Sequence, residues 1–233
     1  MSEIIAAFSS HYSYTHSILT LEEAGKTAPG NPTSIVDIAR ENHLKQVVLI
    51  DERIDGFIEA FKNLNKPFKP TPPKTLEDYI RDEQKDKKIA TDDDKAKAQI
   101  KLDTAIIKYE REKTWSRDPI QLIYGIKMCV CADMNDKTEE SLKTESNVII
   151  FIKNSAAYND LIRIYNRSWT DGFYYQGRAD WKLLKTYWTD NLSLALPTYS
   201  SFIFKNALTF SNIVPDFPVA PVLFKEVDSG LPF

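Results

Sequence analysis

The stretch FSSHYSYTHSIL, residues 8–19, gathers two of the chain's three histidines with several short polar residues. Imidazole can ligate a metal or move a proton near neutral pH, and serine hydroxyls both donate and accept hydrogen bonds. His11 and His16 lie an odd number of positions apart, so on a strand they would face opposite ways and suit one metal only if the chain turned between them. Ser9, His11 and Ser13 alternate and would share one face. This pattern fits a metal-binding strand, the remains of one, or a polar strand end without chemistry. The third histidine, His43, sits between a helical pattern and an apolar run and reads as a surface residue. Cys129 and Cys131 are the two cysteines. With no second Cys or His pair after them, they read as reduced core residues rather than half of a zinc site.

The rest of the chain bounds what such residues can do. It has 233 residues, 42% hydrophobic and 27% charged, with a net charge of −3, the profile of a soluble globular protein. No general basic surface advertises nucleic-acid binding. No window is apolar enough to span a membrane, and no secretory leader precedes IIAAF, so a cytoplasmic location is expected. Seven glycines are few for the length, and none forms a phosphate-cradling loop.

The elements that would position these residues alternate. A first strand is expected over 3–8 and a loop over 20–32. Ser34 caps a helix over IVDIARENHL. QVVLID (46–51) is a continuous apolar run ending in an acid, as in a buried parallel strand. IDGFIEAFKNLN follows as a helix. The proline-rich KPFKPTPPK then breaks the pattern, and residues 75–113 are dense in Lys, Asp and Glu with helical spacing, Thr75 and Asp78 opening the first helix. This charged stretch, bounded as 66–117, reads as a helical insertion in one domain over 1–233. Strands resume with one or two in IQLIYGIKMCVCADM (120–134) and one in NVIIFI (147–152). A helix capped by Ser155, a short helix in ADWKLLKTYW, a strand LSLALP, a helix SSFIFKNAL and a strand APVLFKEV complete the chain. Strands alternating with helices argue for a parallel sheet or barrel.

Several segments in order resemble the PHP (polymerase and histidinol phosphatase) domain, especially that at the N-terminus of the bacterial-type DNA polymerase III alpha subunit. They are HSILTLEEAGKTAP, VVLIDERIDGFIEAF, YGIKMCVCAD, VIIFIKNSAAYNDLIRIYN and GRADWKLLKTYWTDNLSLAL, covering about 3–196 apart from the charged segment. The resemblance implies an α/β fold, a (β/α)7-like barrel with a charged helical insertion, incomplete at the C-terminus. It also implies a metal cluster at the C-terminal mouth of the strands, able to activate water for phosphoester hydrolysis.

Aligned on the family's motifs, the ligand set is thin. The first motif's paired histidines fall on Ser9, His11 and Ser13, of which only His11 can ligate well. Asp51 fits the acid of the second motif, but Glu52 stands where histidine is usual. Asp133 takes the acid of the third, and no histidine follows His43. His11, Asp51, Glu52 and Asp133 therefore form a relic or weak cleft lined by Ser9 and Ser13, with His11 expected to pair with one of the carboxylates. No tightly bound cofactor is expected, only weak Mg²⁺ or Mn²⁺, which accept oxygen ligands. Arg178 and Asp180 suggest an ion pair over the barrel mouth, but read better as holding the loop before the helix at Trp181. Tyr174 and Tyr175 beside Arg178 form an aromatic-basic cluster of a kind that can stack bases, but without other basic context they read as packing at the edge of the core, and His16 as a packed or capping side chain.

Three functions are open. The first is a PHP domain of a polymerase III alpha-like replication protein, structural or partner-binding, with a degenerate phosphoesterase centre. Its partners would be the polymerase core or other replication proteins, and DNA only indirectly. The ending EVDSGLPF reads as a cut from a longer chain and favours this option. The second is a stand-alone phosphoesterase with a carboxylate-rich site. The third is an unrelated α/β binding protein. No polymerase activity is expected from the chain alone.

Overall fold

Apolar runs become strands, and polar residues ahead of amphipathic runs become helix caps. The computed structural model describes residues 7–13, 17–28, 30–84, 91–209 and 214–224. The chain divides into two compact units. The first joins residues 1–19, 46–59 and 122–233, and the second joins 20–45 and 60–121.

The first unit is built on a seven-stranded sheet. Its strands are β1 (Ala7–Phe8), β2 (Gln46–Asp51), β3 (Gln121–Cys131), β4 (Ser146–Ile152), β5 (Arg178–Asp180), β6 (Leu192–Pro197) and β7 (Val222–Phe224). The order is β1-β2-β3-β4-β6-β7, with β5 paired to β3. Among the described residues no ladder joins β1 to β7. The sheet is mixed rather than parallel: β4 runs antiparallel to both β3 and β6, whereas β1–β2, β3–β5 and β6–β7 are parallel. Residues 120–134 form one strand, which stops at Cys131. Of the expected first strand, residues 3–6 lie outside the described residues, as do 225–227 of the last.

The buried faces of this sheet carry Leu49, Ile126, Val148, Ile150 and Leu194, all essentially inaccessible to water. Burying each such side chain contributes about 1.5–3 kcal/mol. Helices pack on this core. They are α2 (Gly56–Asn65), whose first turn belongs to this unit, α5 (Glu139–Leu142), α6 (Ala157–Thr170), α7 (Trp181–Tyr187) and α8 (Phe202–Thr209), with α1, α3 and α4 in the second unit. Leu161 and Ile164 on α6 and Leu184 on α7 are buried. Phe57 stacks on Tyr158 and tilts against Tyr124, with ring centroids 4.4 and 5.0 Å apart. The expected cap at Ser155 is replaced by Asn154, whose Oδ1 accepts the Ala157 N–H at 3.0 Å. The Asn154 side chain reaches the orphan donor of the first turn, the usual requirement at a helix start.

The second unit contains α1 (Ile35–Glu41), α3 (Leu76–Gln84) and α4 (Asp92–Lys113). Ser34 caps α1 by accepting the Val36 N–H at 3.1 Å. Thr75 and Asp78 exchange bonds at the start of α3, and Thr91 and Asp94 form a reciprocal capping box on α4. The proline-rich break is braced by Arg40. It is fully buried and donates to the carbonyls of Ser116, Asp118, Leu64 and Lys66 at 2.6–3.4 Å. His43 is exposed in a left-handed turn (φ 53°) at the end of α1, as a surface residue should be.

Glu112 on α4 yields a first prediction. Its side chain is 6% exposed, and its Oε1, 3.7 Å from Lys108 Nζ, accepts no hydrogen bond. Burial pushes its carboxyl above the usual range, and Lys108 pulls the other way. The native state therefore binds this proton more readily than the unfolded chain, and the ionised form weighs against folding as pH rises. Glu112→Gln should gain stability relative to the parent between pH 4.5 and pH 8, by about 1 kcal/mol or less. Thermal melts at the two pH values check the sign. A variant that loses ground at pH 8 contradicts it.

Candidate functional site

The N-terminal cluster forms where β1 ends beside β2. β1 stops at Phe8, so Ser9, His11 and Ser13 are not on one strand face. The chain turns instead, with the Ser13 N–H donating to the Ser10 carbonyl at 2.9 Å. This turn brings Ser10, absent from the alternating set, onto Asp51. Both residues are fully buried. The Ser10 N–H donates to Asp51 Oδ1 and the Ser10 hydroxyl to Oδ2, both at 2.7 Å, and the Ser13 hydroxyl donates to Oδ1 at 3.0 Å. Ser9 turns to the Ile50 carbonyl at 2.7 Å. Gly56 permits the close approach: a Cβ there would come within 2.7 Å of the Tyr12 ring and 3.1 Å of Asp51 Oδ2. Desolvation raises the Asp51 carboxyl above its ordinary range, while the serine hydrogen bonds and then the His11 charge act the other way.

The other expected members are elsewhere. His11 is exposed and its ring lies 4.3 Å from that of Tyr12. Its expected pairing with a carboxylate is not found among the described residues, and Ser10 and Ser13 hold Asp51 instead. Glu52 meets Lys127 of β3 at 3.5 Å. Asp133 is exposed, and its Oδ1 accepts from the backbone N–H and the side chain of Asn135 at 2.9 and 3.1 Å. His16 lies outside the described residues. Among the described residues no three His, Cys, Asp or Glu side chains stand together as metal ligands. Asp51 is engaged as a hydrogen-bond acceptor and Asp133 in a local turn.

Arg178 and Asp180 form no ion pair and hold the loops and the helix start around Trp181. Arg178, fully buried, donates to the Gly172 and Asp136 carbonyls, to the Ser141 hydroxyl at 3.0 Å and to Glu145 at 3.3 Å. Asp180 instead caps α7, accepting the Leu183 N–H at 2.7 Å. Each charge is used by a different partner, so the two do not meet. Glu145 carried no sequence signal. Lys127 did: it is the one charge inside the apolar run IKMCVC. Cys129 and Cys131 are free and buried as expected, and burial pushes the Cys131 thiol up to about 11. Tyr175, expected to pack, is 75% exposed.

A second feature of the first unit is a cavity of about 480 Å³. Lys127, Asn147, Tyr165, Trp169, Tyr175 and Gln176 are among the residues that line it. Among the described residues no helix is long and apolar enough to cross a membrane. In comparisons with known proteins, the family described as PHP domain matches residues 9–209. No curated protein matches the chain.

Proposed function

The chain belongs to the PHP domain family, and from that membership we propose that it is a PHP domain with a degenerate phosphoesterase centre and a structural role. The protein it would serve is a cytoplasmic replication protein like the bacterial-type DNA polymerase III alpha subunit. The observation that carries the reading is the state of Asp51. Its two oxygens accept three hydrogen bonds from Ser10 and Ser13. A carboxylate offers about four lone-pair sites, and neutral hydroxyls in place of imidazoles leave little affinity for a transition metal. The Lys127 ammonium beside Glu52 supports the same reading, because it supplies a positive charge to that carboxylate without a metal. Weak Mg²⁺ or Mn²⁺ binding is compatible with it.

In this reading the fold is a (β/α)7-like barrel and the 66–117 segment is an insertion available to partners. The partners are the polymerase core or other replication proteins, and DNA is reached through them. A phosphodiesterase assay on bis(p-nitrophenyl) phosphate with Mn²⁺ tests the reading. The parent and His11→Ala are expected to be equally at background. A large fall in real turnover on that substitution would promote the stand-alone phosphoesterase instead.

A further inference from the structure

We propose that a groove lined by the proline-rich segment 66–74 and by α4 docks an acidic segment of a partner protein, held extended with an apolar side chain between carboxylates. The groove has a volume of about 660 Å³, and every residue that lines it lies in the second unit. The inference rests on the reading that the 66–117 segment serves partners, but not on the state of Asp51.

Two stiff elements shape the groove. Ala105, Lys108, Tyr109 and Glu112 line it from one face of α4, at the spacing that a helix turns to one side. Pro67, Pro72 and Pro73 line it from the segment between α2 and α3. Their rings fix φ, so this wall is ordered before a ligand arrives and costs little entropy on binding. Phe68, Tyr79 and Tyr109 are half-buried and give the groove its ring surface. Phe68 is backed by Trp115, with centroids 5.4 Å apart. The helical face from 105 to 112 runs for about 10 Å, and an extended chain advances about 3.3 Å per residue, so the groove takes about three or four peptide residues.

Charge selects the occupant. The chain as a whole carries −3, yet Lys26, Lys66, Lys69, Lys74 and Lys108 all line this groove, against the carboxylates of Glu23 and Glu112. Lys66 meets Glu23 at 2.9 Å, Lys74 meets Asp82 at 2.7 Å, and Lys108 lies 3.7 Å from Glu112. Lys26 and Lys69 are exposed and make no ion pair among the described residues. Carboxylates on either side of an apolar residue answer these two ammonium groups, while the apolar residue covers the rings. Exposed ion pairs are individually weak and screened by salt, so affinity needs both parts. No arginine lines the groove, and arginine is the side chain that clasps phosphate with two parallel bonds. With a net charge of −3 the chain also offers little field for a long nucleic-acid strand. Carboxylates are therefore the better match.

Fluorescence anisotropy of a fluorescein-labelled EEFEE peptide, titrated with the intact chain in dilute salt, tests the assignment. Binding with a dissociation constant below about 1 mM is expected. The peptides QQFQQ and EEAEE should each bind about fivefold or more weakly, as should EEFEE to the double variant Lys26→Glu, Lys69→Glu. Both lysines are exposed and unpaired, so the variant should melt as the parent does. Unlabelled EEFEE should displace the probe more readily than citrate or oligothymidylate. The assignment fails if EEFEE does not bind at millimolar concentration, if QQFQQ binds as well, or if the double variant keeps the parent's affinity. It fails equally if citrate or oligothymidylate is the better competitor, which would assign the groove to a small polycarboxylate or to nucleic acid. None of these outcomes touches the degenerate-centre reading, which metal content tests separately.

Discussion

Replacing Arg178 with alanine is expected to cost about 3–5 kcal/mol, the range for breaking a buried, hydrogen-bonded charge network. The guanidinium is fully buried and holds two carbonyls, a hydroxyl and a carboxylate. Alanine leaves Glu145 without its cation, the Ser141 hydroxyl without this donor, and a void where a long side chain stood. Lysine should rescue little, because a point charge cannot serve acceptors spread around a planar fork. Urea denaturation measures this as a lower midpoint with an unchanged slope. A loss below about 1 kcal/mol for Arg178→Ala would show that the network is not holding the β3–β4 connection and the turn at Gly172 onto β5.

Asp51→Ala should follow at about 2–4 kcal/mol, because it strands a buried N–H and removes the acceptor of two hydroxyls. Its pH dependence has a defined sign. Burial raises the Asp51 carboxyl in the native state. Between the ordinary aspartate value and that raised value the native protein binds more protons than the unfolded chain, so this group's contribution is full in acid and is lost as pH rises through the native value. Asp51→Asn cannot titrate. The stability of the parent relative to Asp51→Asn should therefore fall with rising pH across that window and then level off. A parent that gains on the variant over the same range would mean that the serine hydrogen bonds outweigh desolvation.

What could be read from the sequence follows from which physical signals are local. β2 and β4 are continuous apolar runs, and such runs announce burial on both faces. They do not announce direction, because a strand buried on both faces looks the same whichever way it runs; hence the antiparallel β4 was not legible. The caps at Ser34 and Thr75 were legible because capping is set within a few residues. Asp51 was identified from the acid that closes an apolar run, but its partner was not. Period-two alternation pointed to Ser9, His11 and Ser13, whereas the strand ends at Phe8 and the turn hands the contact to Ser10. The same limit hid Glu145, whose meeting with Arg178 spans 33 residues, and the exposure of Tyr175, which depends on one backbone angle.

Metal content is the most direct test of the central claim that the PHP centre is degenerate. The protein should be purified in Mn²⁺ or Zn²⁺, freed of loosely held ions and measured by elemental analysis. Less than one tightly held metal per chain is the predicted result. Two or more per chain would contradict the account and restore a hydrolytic centre.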